Sequence, residues 1–322
     1  MTINLPKLIA MAFALIYATS DRTACAADIV RVGEATGPAV MITNVLDVGI
    51  QAGIFKKYDI DAQRIDFEGA AKLAQGVTAH SVDIAMGGST DLNYVAKGEP
   101  AKAVGIWTSG LNSFAILVRY DAPIRTLEEL KGKKIGSSSP ASITTWIAKK
   151  IALLEGWGPL EPAYLGGGDA MTAAVLAGSV DAVSSSLDAG YQLEAQKRLR
   201  VLAAVGDVIK GVPGNFIFAS NDMMTQHPEL VRRFLKGWYE SVTYARQTKD
   251  IIYFTAGKKA LPPEVEEVYA KIYAKVMPDM PTDGHFALDQ IEQVKQAIID
   301  VGLLTKDQMP STEALITQAF LP

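Results

Sequence analysis

Hydrophobic residues alternate between two patterns along the first two thirds of this chain. Short apolar runs, such as DIVRVGEA (28–35) and VDIAMGG (82–88), have the length of strands, and the segments between them carry apolar residues at helical spacing. Strands that alternate with helices of about 10–15 residues predict β-α-β units and parallel sheets. After about residue 222 the pattern is almost wholly helical, for example over 230–242. The chain is therefore predicted to be an α/β protein.

The remaining elements follow from the same patterns. Four helices are expected: one ending near Gly53, one over 70–81, one starting at Ser89, and one starting at Pro140 with a core stripe of apolar residues. The stripe consists of Ile143, Trp146, Ile147, Ile151 and Leu154. The other predicted strands are DAQRIDF (61–67), AKAVGIW (101–107), KGKKIGSS (131–138), PAYLGGG (162–168) and VDAVSSS (180–186).

One segment of the chain resembles another that lies 98 residues later. FEGAAKLAQGVTAHSVD (67–83) aligns without gaps on LGGGDAMTAAVLAGSVD (165–181), and both end in Ser-Val-Asp. Chance similarity between segments rich in alanine and glycine is the alternative. Both segments nevertheless occupy the same place in a strand-helix-strand run, so we predict two similar lobes.

Length, charge and composition narrow the class of protein. A chain of 322 residues with 49% hydrophobic and 20% charged residues is typical of globular proteins, and its length suggests two domains. The formal net charge of -4, without a cluster of basic and aromatic residues, excludes nucleic-acid binding as the expected function.

The first residues have the features of a secretory signal peptide. Lys7 precedes the apolar run Leu8–Ala18, and the small residues ACAA come before Asp28. Cleavage after Ala26 or Ala27 is therefore expected, with 1–27 as the signal peptide and export of the rest. Cys25, the single cysteine, could accept a lipid, but Arg22 stands where a lipoprotein signal has leucine, so simple cleavage is favoured.

Small and hydroxyl-bearing residues follow successive predicted strands. These residues are Thr36, Gly37, Pro38 and Ala39, then Gly88, Ser89 and Thr90, then Ser137, Ser138 and Ser139. A helix N-terminus offers free N–H groups and a favourable dipole to an anion, and adjacent hydroxyls add further donors. One serine could simply cap a helix, but three in succession exceed that need. We therefore predict that these loops bind a ligand where the strands end.

Four longer segments resemble one family of transport proteins. They are AGIFKKYDIDAQRIDF, AAKLAQGVTAHSVDIAMGG, LEELKGKKIGSSSPAS and LAGSVDAVSSSLDAGY. The chain is similar here to the type II periplasmic solute-binding proteins of ABC importers, in the nitrate/sulfonate/taurine and thiamine-precursor (pyrimidine) group. The resemblance implies an α/β fold of two lobes, each a mainly parallel open sheet flanked by helices, joined by two hinge crossovers. Such proteins close on a solute and deliver it to a membrane permease.

The resemblance also implies lobe bounds and site residues. The first lobe would comprise 28–117 plus 217–322 and the second 118–216, with crossovers in FAILVRY (114–120) and GNFIFAS (214–220). Three residues join the loops named above as expected solute contacts, namely Trp107, Asp188 and Asn215.

The solute is expected to be a small organic anion or zwitterion. Related taurine and sulfonate binders have an aromatic-Asp-Pro segment where this chain has Leu187-Asp188-Ala189, so the acid for an amine is kept and the aromatic wall is absent. No arginine stands in the expected loops, so a guanidinium clamp on sulfonate or phosphate is not expected. Sulfonates, pyrimidines and aromatic acids remain open, and nitrate is not favoured.

The sequence predicts no catalytic residue, metal site or cofactor. Its three histidines lack metal-ligand spacing, and both the GxSxG and Walker A motifs are absent. The expected partners are a small-molecule solute and an inner-membrane ABC permease, with a monomeric receptor in the periplasm. Two alternatives stay open: an enzyme of pyrimidine or menaquinone-precursor biosynthesis with the same fold, and a ligand-sensing module of a membrane receptor.

Overall fold

The computed structural model places two open β-sheets, each with helices packed against it. The structure describes residues 26–35, 41–42, 44–67, 69–140, 142–257 and 260–322. The signal peptide, apart from its last two residues, and the predicted site residues Thr36 to Ala39 lie outside the described residues.

Seven of the strands lie close to positions that the apolar runs predict, two lie in the segments expected as crossovers, and the strand at Leu199–Ala204 was not predicted. Their bounds are β1 Asp28–Ala35, β2 Ile60–Phe67, β3 Ile84–Gly88, β4 Ala101–Thr108, β5 Phe114–Arg119, β6 Ile135–Ser137, β7 Ala163–Tyr164, β8 Ala182–Ser186, β9 Leu199–Ala204 and β10 Asn215–Ser220.

Helices fill the intervals between strands and most of the chain after β10. Their bounds are α1 Val45–Gln51, α2 Ala70–Thr78, α3 Leu92–Ala96, α4 Ile143–Leu154, α5 Gly168–Leu176, α6 Leu187–Ala195, α7 Val205–Val208, α8 Asn221–Gln226, α9 Pro228–Thr248, α10 Asp250–Thr255, α11 Pro263–Val276, α12 Leu288–Asp300 and α13 Thr312–Leu315. Short 3-10 turns add Phe55–Tyr58, Ser89–Asp91, Glu128–Leu130, Met277–Asp279 and Lys306–Gln308.

Both sheets have the same arrangement of five strands. Their orders are β2-β1-β3-β10-β4 and β7-β6-β8-β5-β9. In each sheet the first three strands are parallel, and the fourth strand, β10 or β5, lies antiparallel to the third. The α/β fold of two mainly parallel open sheets is thereby confirmed.

The internal repeat of the sequence is a repeat of structure. Shifting α2 and β3 by 98 residues gives the bounds of α5 and β8. The aspartate that ends each repeat makes the same contacts: the Asp83 carboxylate accepts the Arg31 N–H at 2.8 Å, and the Asp181 carboxylate accepts the Lys134 N–H at 2.9 Å. Each aspartate also donates its own N–H to the carbonyl of the same partner. The two sheets therefore start their central strands in the same way.

The chain passes from one sheet to the other twice. Strand β5 pairs in the second sheet and β10 in the first, so the passages lie at 109–113 and 205–214. The division into lobes stays a prediction, and these pairings would move its bounds four residues earlier at the first crossover and two at the second. Gly214 has no room for a side chain, because a Cβ there would lie 2.5 Å from the Gly110 carbonyl oxygen on the other crossover.

Helix α4 starts later than its sequence suggests. Its N-cap is Ser142, whose hydroxyl accepts the Thr145 N–H. Pro140 therefore precedes the helix, and the prediction that it lies in the first turn is wrong. Trp146, Ile147 and Ile151 are buried as expected, whereas Leu154 is 53% exposed. The predicted apolar stripe of α9 (230–242) is buried throughout.

Candidate functional site

The predicted site residues that the structure describes stand at the carboxyl ends of strands or at the crossovers. Gly88, Ser89 and Thr90 lie at the end of β3, and Ser137 to Ser139 begin at the end of β6. Asp188 is the second residue of α6, directly after β8. In parallel sheets these strand ends meet at one edge, which is where ligands bind in open α/β folds.

Asp188 is one point where the two halves of the molecule touch. Its Oδ2 accepts the backbone N–H of Met41 at 2.7 Å in a buried hydrogen bond. Its other oxygen, Oδ1, is buried and finds no hydrogen-bond partner among the described residues. Burial raises the pKa of Asp188 to about 6, and the Met41 N–H opposes that rise. Asp188 is thus ionised at neutral pH with one oxygen available.

The three serines form a closed chain of hydrogen bonds with the first turn of α4. Ser137 Oγ lies 2.7 Å from Thr145 Oγ1, and Ser138 Oγ lies 3.0 Å from Thr144 Oγ1. The Ser139 carbonyl accepts from both Thr145 Oγ1 (2.7 Å) and Ser142 Oγ (2.8 Å).

Because each hydroxyl has one proton, these contacts fix their directions. Thr145 donates to the Ser139 carbonyl, so Ser137 must donate to Thr145, and Ser137 is left with lone pairs only. Ser142 caps the helix in their place. The role of Ser137, Ser138 and Ser139 as solute contacts therefore stays a prediction, and Ser137 can donate to a solute only if its bond to Thr145 breaks.

A serine-to-alanine series tests this network. We expect Ser137→Ala to lower the free energy of unfolding by about 1 kcal/mol, because it deletes a fully buried, hydrogen-bonded hydroxyl. Ser139→Ala, at an exposed position, should change it by less than about 0.5 kcal/mol. Urea unfolding of both variants measures the difference, and equal stabilities would contradict the network.

Ser89, Thr90 and Asn215 lie together beside the second crossover. The Ser89 N–H donates to the Gly214 carbonyl at 2.9 Å, and Thr108 Oγ1 donates to Asn215 Oδ1 at 2.8 Å. All three are at least 90% buried. The Gly88 N–H donates to Asp91 Oδ2 at 2.8 Å, and burial raises the pKa of Asp91 to about 7. This loop is therefore held by the Gly214 carbonyl and by the Asp91 side chain.

Trp107 lies inside β4 and is part of the core. It is 3% exposed, and its ring packs on Trp238 at a centroid distance of 5.8 Å. Its indole Nε1 is buried without a hydrogen-bond partner in the described structure. Its role as a wall of the solute site stays a prediction.

Two polar groups of this region, Ser113 and Ser184, were not among the predicted site residues. The hydroxyls of Ser89, Ser113 and Ser184 are buried without a partner among the described residues, like Asp188 Oδ1. Continuing the register between β6 and β8 by one residue places Ser184 beside Ser137. The Ser113 carbonyl accepts the N–H of Leu187 at 2.9 Å. The serine run of β8 signals Ser184, but no motif marks Ser113 or Met41. The set offers neutral donors and one carboxylate, with no lysine or arginine.

The described residues form no helix that is long and apolar enough to cross a membrane. Nor do they contain a group of three or more His, Cys, Asp or Glu residues that could hold a metal ion.

Two sheets with the same strand order, joined by two crossovers, define the fold of the periplasmic binding proteins. The alkanesulfonate-binding protein SsuA from Xanthomonas axonopodis pv. citri, solved with bound MOPS, has a TM-score of 0.72 and 21% identity, covering 89% of this chain and 97% of that chain. The desulfurization enzyme DSZB has a TM-score of 0.63 and 17% identity, covering 90% of this chain and 97% of that chain.

The sequence itself also matches known proteins. A Bacillus subtilis (strain 168) protein, provisionally named an aliphatic sulfonates-binding protein, is 23% identical over an alignment of 280 residues. The alignment covers 83% of this chain and 79% of that protein. Residues 44–250 match the family described as NMT1/THI5 like. Because this match spans more than half of the chain, the protein belongs to that family.

Proposed function

We propose that the protein is a periplasmic solute receptor of an ABC importer, which binds a small organic sulfonate or another anionic or zwitterionic molecule between its two sheets. The observation that carries the proposal is Asp188, whose carboxylate bonds to Met41 across the two halves and keeps a buried, unpartnered oxygen. The family and the sulfonate binders with the same fold support it.

The chemistry of the site favours a solute that carries both an amine and an acidic group. Asp188 Oδ1 can accept from an ammonium, since a charged donor is the strongest partner for a buried carboxylate. Buried hydroxyls and the Trp107 indole N–H can donate to acid oxygens without adding positive charge. An aminosulfonate or an amino acid analogue fits this set better than a dianion, whose second charge would be left without a cationic partner.

Delivery of the solute would occur by closure of the two halves. Closing brings Asp188 to Met41, excludes water from the carboxylate and strengthens every polar contact around the solute. The receptor would act as a monomer, presenting the closed form to an inner-membrane permease after signal-peptide cleavage.

A thermal-shift screen of the chain from Asp28 tests the proposal. Aminosulfonates, alkanesulfonates, amino acids, pyrimidines, aromatic carboxylates and nitrate are compared, each at a saturating concentration. A solute at 100 times its Kd should stabilise the fold by about 2.7 kcal/mol. Absence of any shift in folded, ligand-free protein would overturn the receptor function.

An enzyme is the second candidate, because the desulfurization enzyme DSZB shares the fold. The two are separated by incubating the protein with each solute that shifts its melting temperature and following the solute by mass spectrometry. An unchanged solute supports a receptor, and its conversion at a protein-dependent rate supports an enzyme.

A further inference from the structure

Helix α11 contacts the second sheet's helices through two lysines on one of its faces. Lys271 Nζ lies 3.3 Å from Glu194 Oε2 on α6 and 4.0 Å from the centroid of the Tyr191 ring. Lys275 Nζ lies 2.7 Å and 2.8 Å from the two carboxylate oxygens of Asp207 on α7. Four residues apart, the two lysines hold two successive helices of the second sheet.

The other contacts of α11 reach the first half of the molecule. Tyr273 Oη donates to the Arg246 carbonyl of α9 at 2.7 Å, and Tyr253 Oη of α10 donates to Glu266 Oε1 at 3.0 Å. Arg246 in turn donates to the Met277 carbonyl at 2.9 Å. Both α9 and α10 pack on α1. Helix α11 is thus a bridge between helices of the two sheets.

The bridge ends on the first crossover. Asp279, three residues after α11, accepts the Asn112 backbone N–H at 2.9 Å and the Asn112 side-chain Nδ2 at 2.8 Å. Its carbonyl accepts the Ser109 N–H at 2.7 Å. The segment that carries Lys271 and Lys275 is therefore fixed to the point about which the two sheets would move.

Helix α6 is held at both ends by groups outside the second sheet. At its start, Asp188 accepts from Met41, and near its end, Glu194 pairs with Lys271. The pKa of Tyr269 on α11 is raised by burial and then by the nearby charge of Asp188. The direction in which α6 presents Asp188 thus depends on where α11 holds it.

We infer that Lys271 and Lys275 are positioning residues, which hold α6 and α7 in the arrangement where Asp188 meets Met41 and so raise solute affinity without touching the solute. The inference rests on the proposed receptor function. Lys271 is 56% exposed and Asp207 is 61% exposed, so the two ion pairs are individually weak and screened by salt.

The test compares Lys271→Gln/Lys275→Gln with wild type, using the best zwitterionic solute of the screen. In 20 mM salt the double variant should bind about threefold to tenfold more weakly. In 500 mM salt the two should bind alike, because screening removes the ion pairs from the wild type as well. Equal Kd values at low salt would overturn the inference.

Two further variants separate positioning from general destabilisation. Lys149→Gln is the matched control. Lys149 belongs to α4, a helix of the second sheet, and its Nζ lies 3.1 Å from the carboxylate of Glu161. This control variant should bind like the wild type. Lys275→Glu should bind more weakly than Lys275→Gln, and Asp207→Lys/Lys275→Glu should restore affinity. A loss that the charge exchange does not restore would contradict an ion-pair mechanism.

A measurement without solute keeps this inference apart from the receptor function. Hydrogen exchange of the Met41 amide reports its bond to Asp188 directly. We expect the double variant to exchange it at least about threefold faster than wild type and Lys149→Gln. If no solute binds wild type but this difference is seen, the receptor function fails and the positioning role stands. Unchanged exchange in the double variant overturns the positioning role.

Discussion

Replacing Asp188 by asparagine is expected to weaken binding of an amine-bearing solute by about 2–4 kcal/mol, or about 30- to 1000-fold in Kd. The variant leaves the ammonium of the solute buried without its counter-charge. Asparagine keeps an oxygen that can accept the Met41 N–H, so the contact between the two halves survives. Isothermal titration with an aminosulfonate measures the loss.

The matched comparison uses the same variant with an acid that lacks the amine. For that solute Asp188 is a nearby negative charge, so Asp188→Asn should leave its affinity unchanged or improve it. Equal losses for both solutes would remove Asp188 as the amine partner, and the buried hydroxyls would then have to account for the whole recognition.

The pH dependence of binding gives an independent check on Asp188. Its pKa of about 6 means that the carboxylate gains a proton, and loses its charge, just below neutral pH. Affinity for the amine-bearing solute should be constant above about pH 7 and fall below pH 6, approaching tenfold per pH unit. Asp188→Asn should abolish this dependence. A wild-type affinity that stays constant from pH 8 to pH 5 would contradict the role.

Local patterns predicted most of the fold. Apolar runs predicted seven of the described strands but not β9, and the repeated Ser-Val-Asp ending marked two units whose helix and strand coincide at a shift of 98 residues. The start of α4 was predicted wrongly, because Ser142 caps the helix and Pro140 only resembles a first-turn proline. Several neighbouring residues carry a hydroxyl that could cap this helix. Which of them does so depends on backbone hydrogen bonds that cannot be seen in the sequence.

The site was less predictable, because its contacts join distant parts of the chain. Asp188 could be found from the segment after β8, but its partner Met41 is a backbone group with no signature. The paired lysines of α11 appear in the sequence as an ordinary exposed helix face. Only the packing of α11 beside α6 and α7 gives them partners.

A buried carboxyl on β1 should make the fold unusually sensitive to alkaline pH. Glu34 is 1% exposed, and its Oε2 lies 2.8 Å from Arg64 Nη2, at an angle that does not make a hydrogen bond. Arg64 directs its hydrogen bonds to Asp47 (2.6 Å) and Asp66 (2.8 Å) instead. Burial raises the pKa of Glu34 to about 8; the Arg64 charge opposes this rise, and the two aspartates add to it.

The sign of the effect follows from proton binding. Between the ordinary carboxyl pKa of about 4.5 and about 8, folded Glu34 keeps a proton that unfolded Glu34 has lost, so rising pH favours unfolding. Asp91 and Asp188, with pKa values raised to about 7 and about 6, act in the same direction. At about 1.4 kcal/mol per pH unit, we expect Glu34 alone to lower the free energy of unfolding by about 3 kcal/mol from pH 5 to pH 8, and the two aspartates to add to that fall.

Glu34→Gln should remove the Glu34 part of that fall, because glutamine is neutral at every pH and fits the same space. At pH 8 the variant should be about 3 kcal/mol more stable than wild type, and at pH 5 the two should be alike. Urea unfolding at pH 5, 6.5 and 8 measures this, with Glu128→Gln as the control at an exposed position. A Glu34→Gln variant that follows the wild type at all three pH values would show that Arg64 keeps Glu34 ionised, in which case the ion pair is a stabilising part of the first sheet.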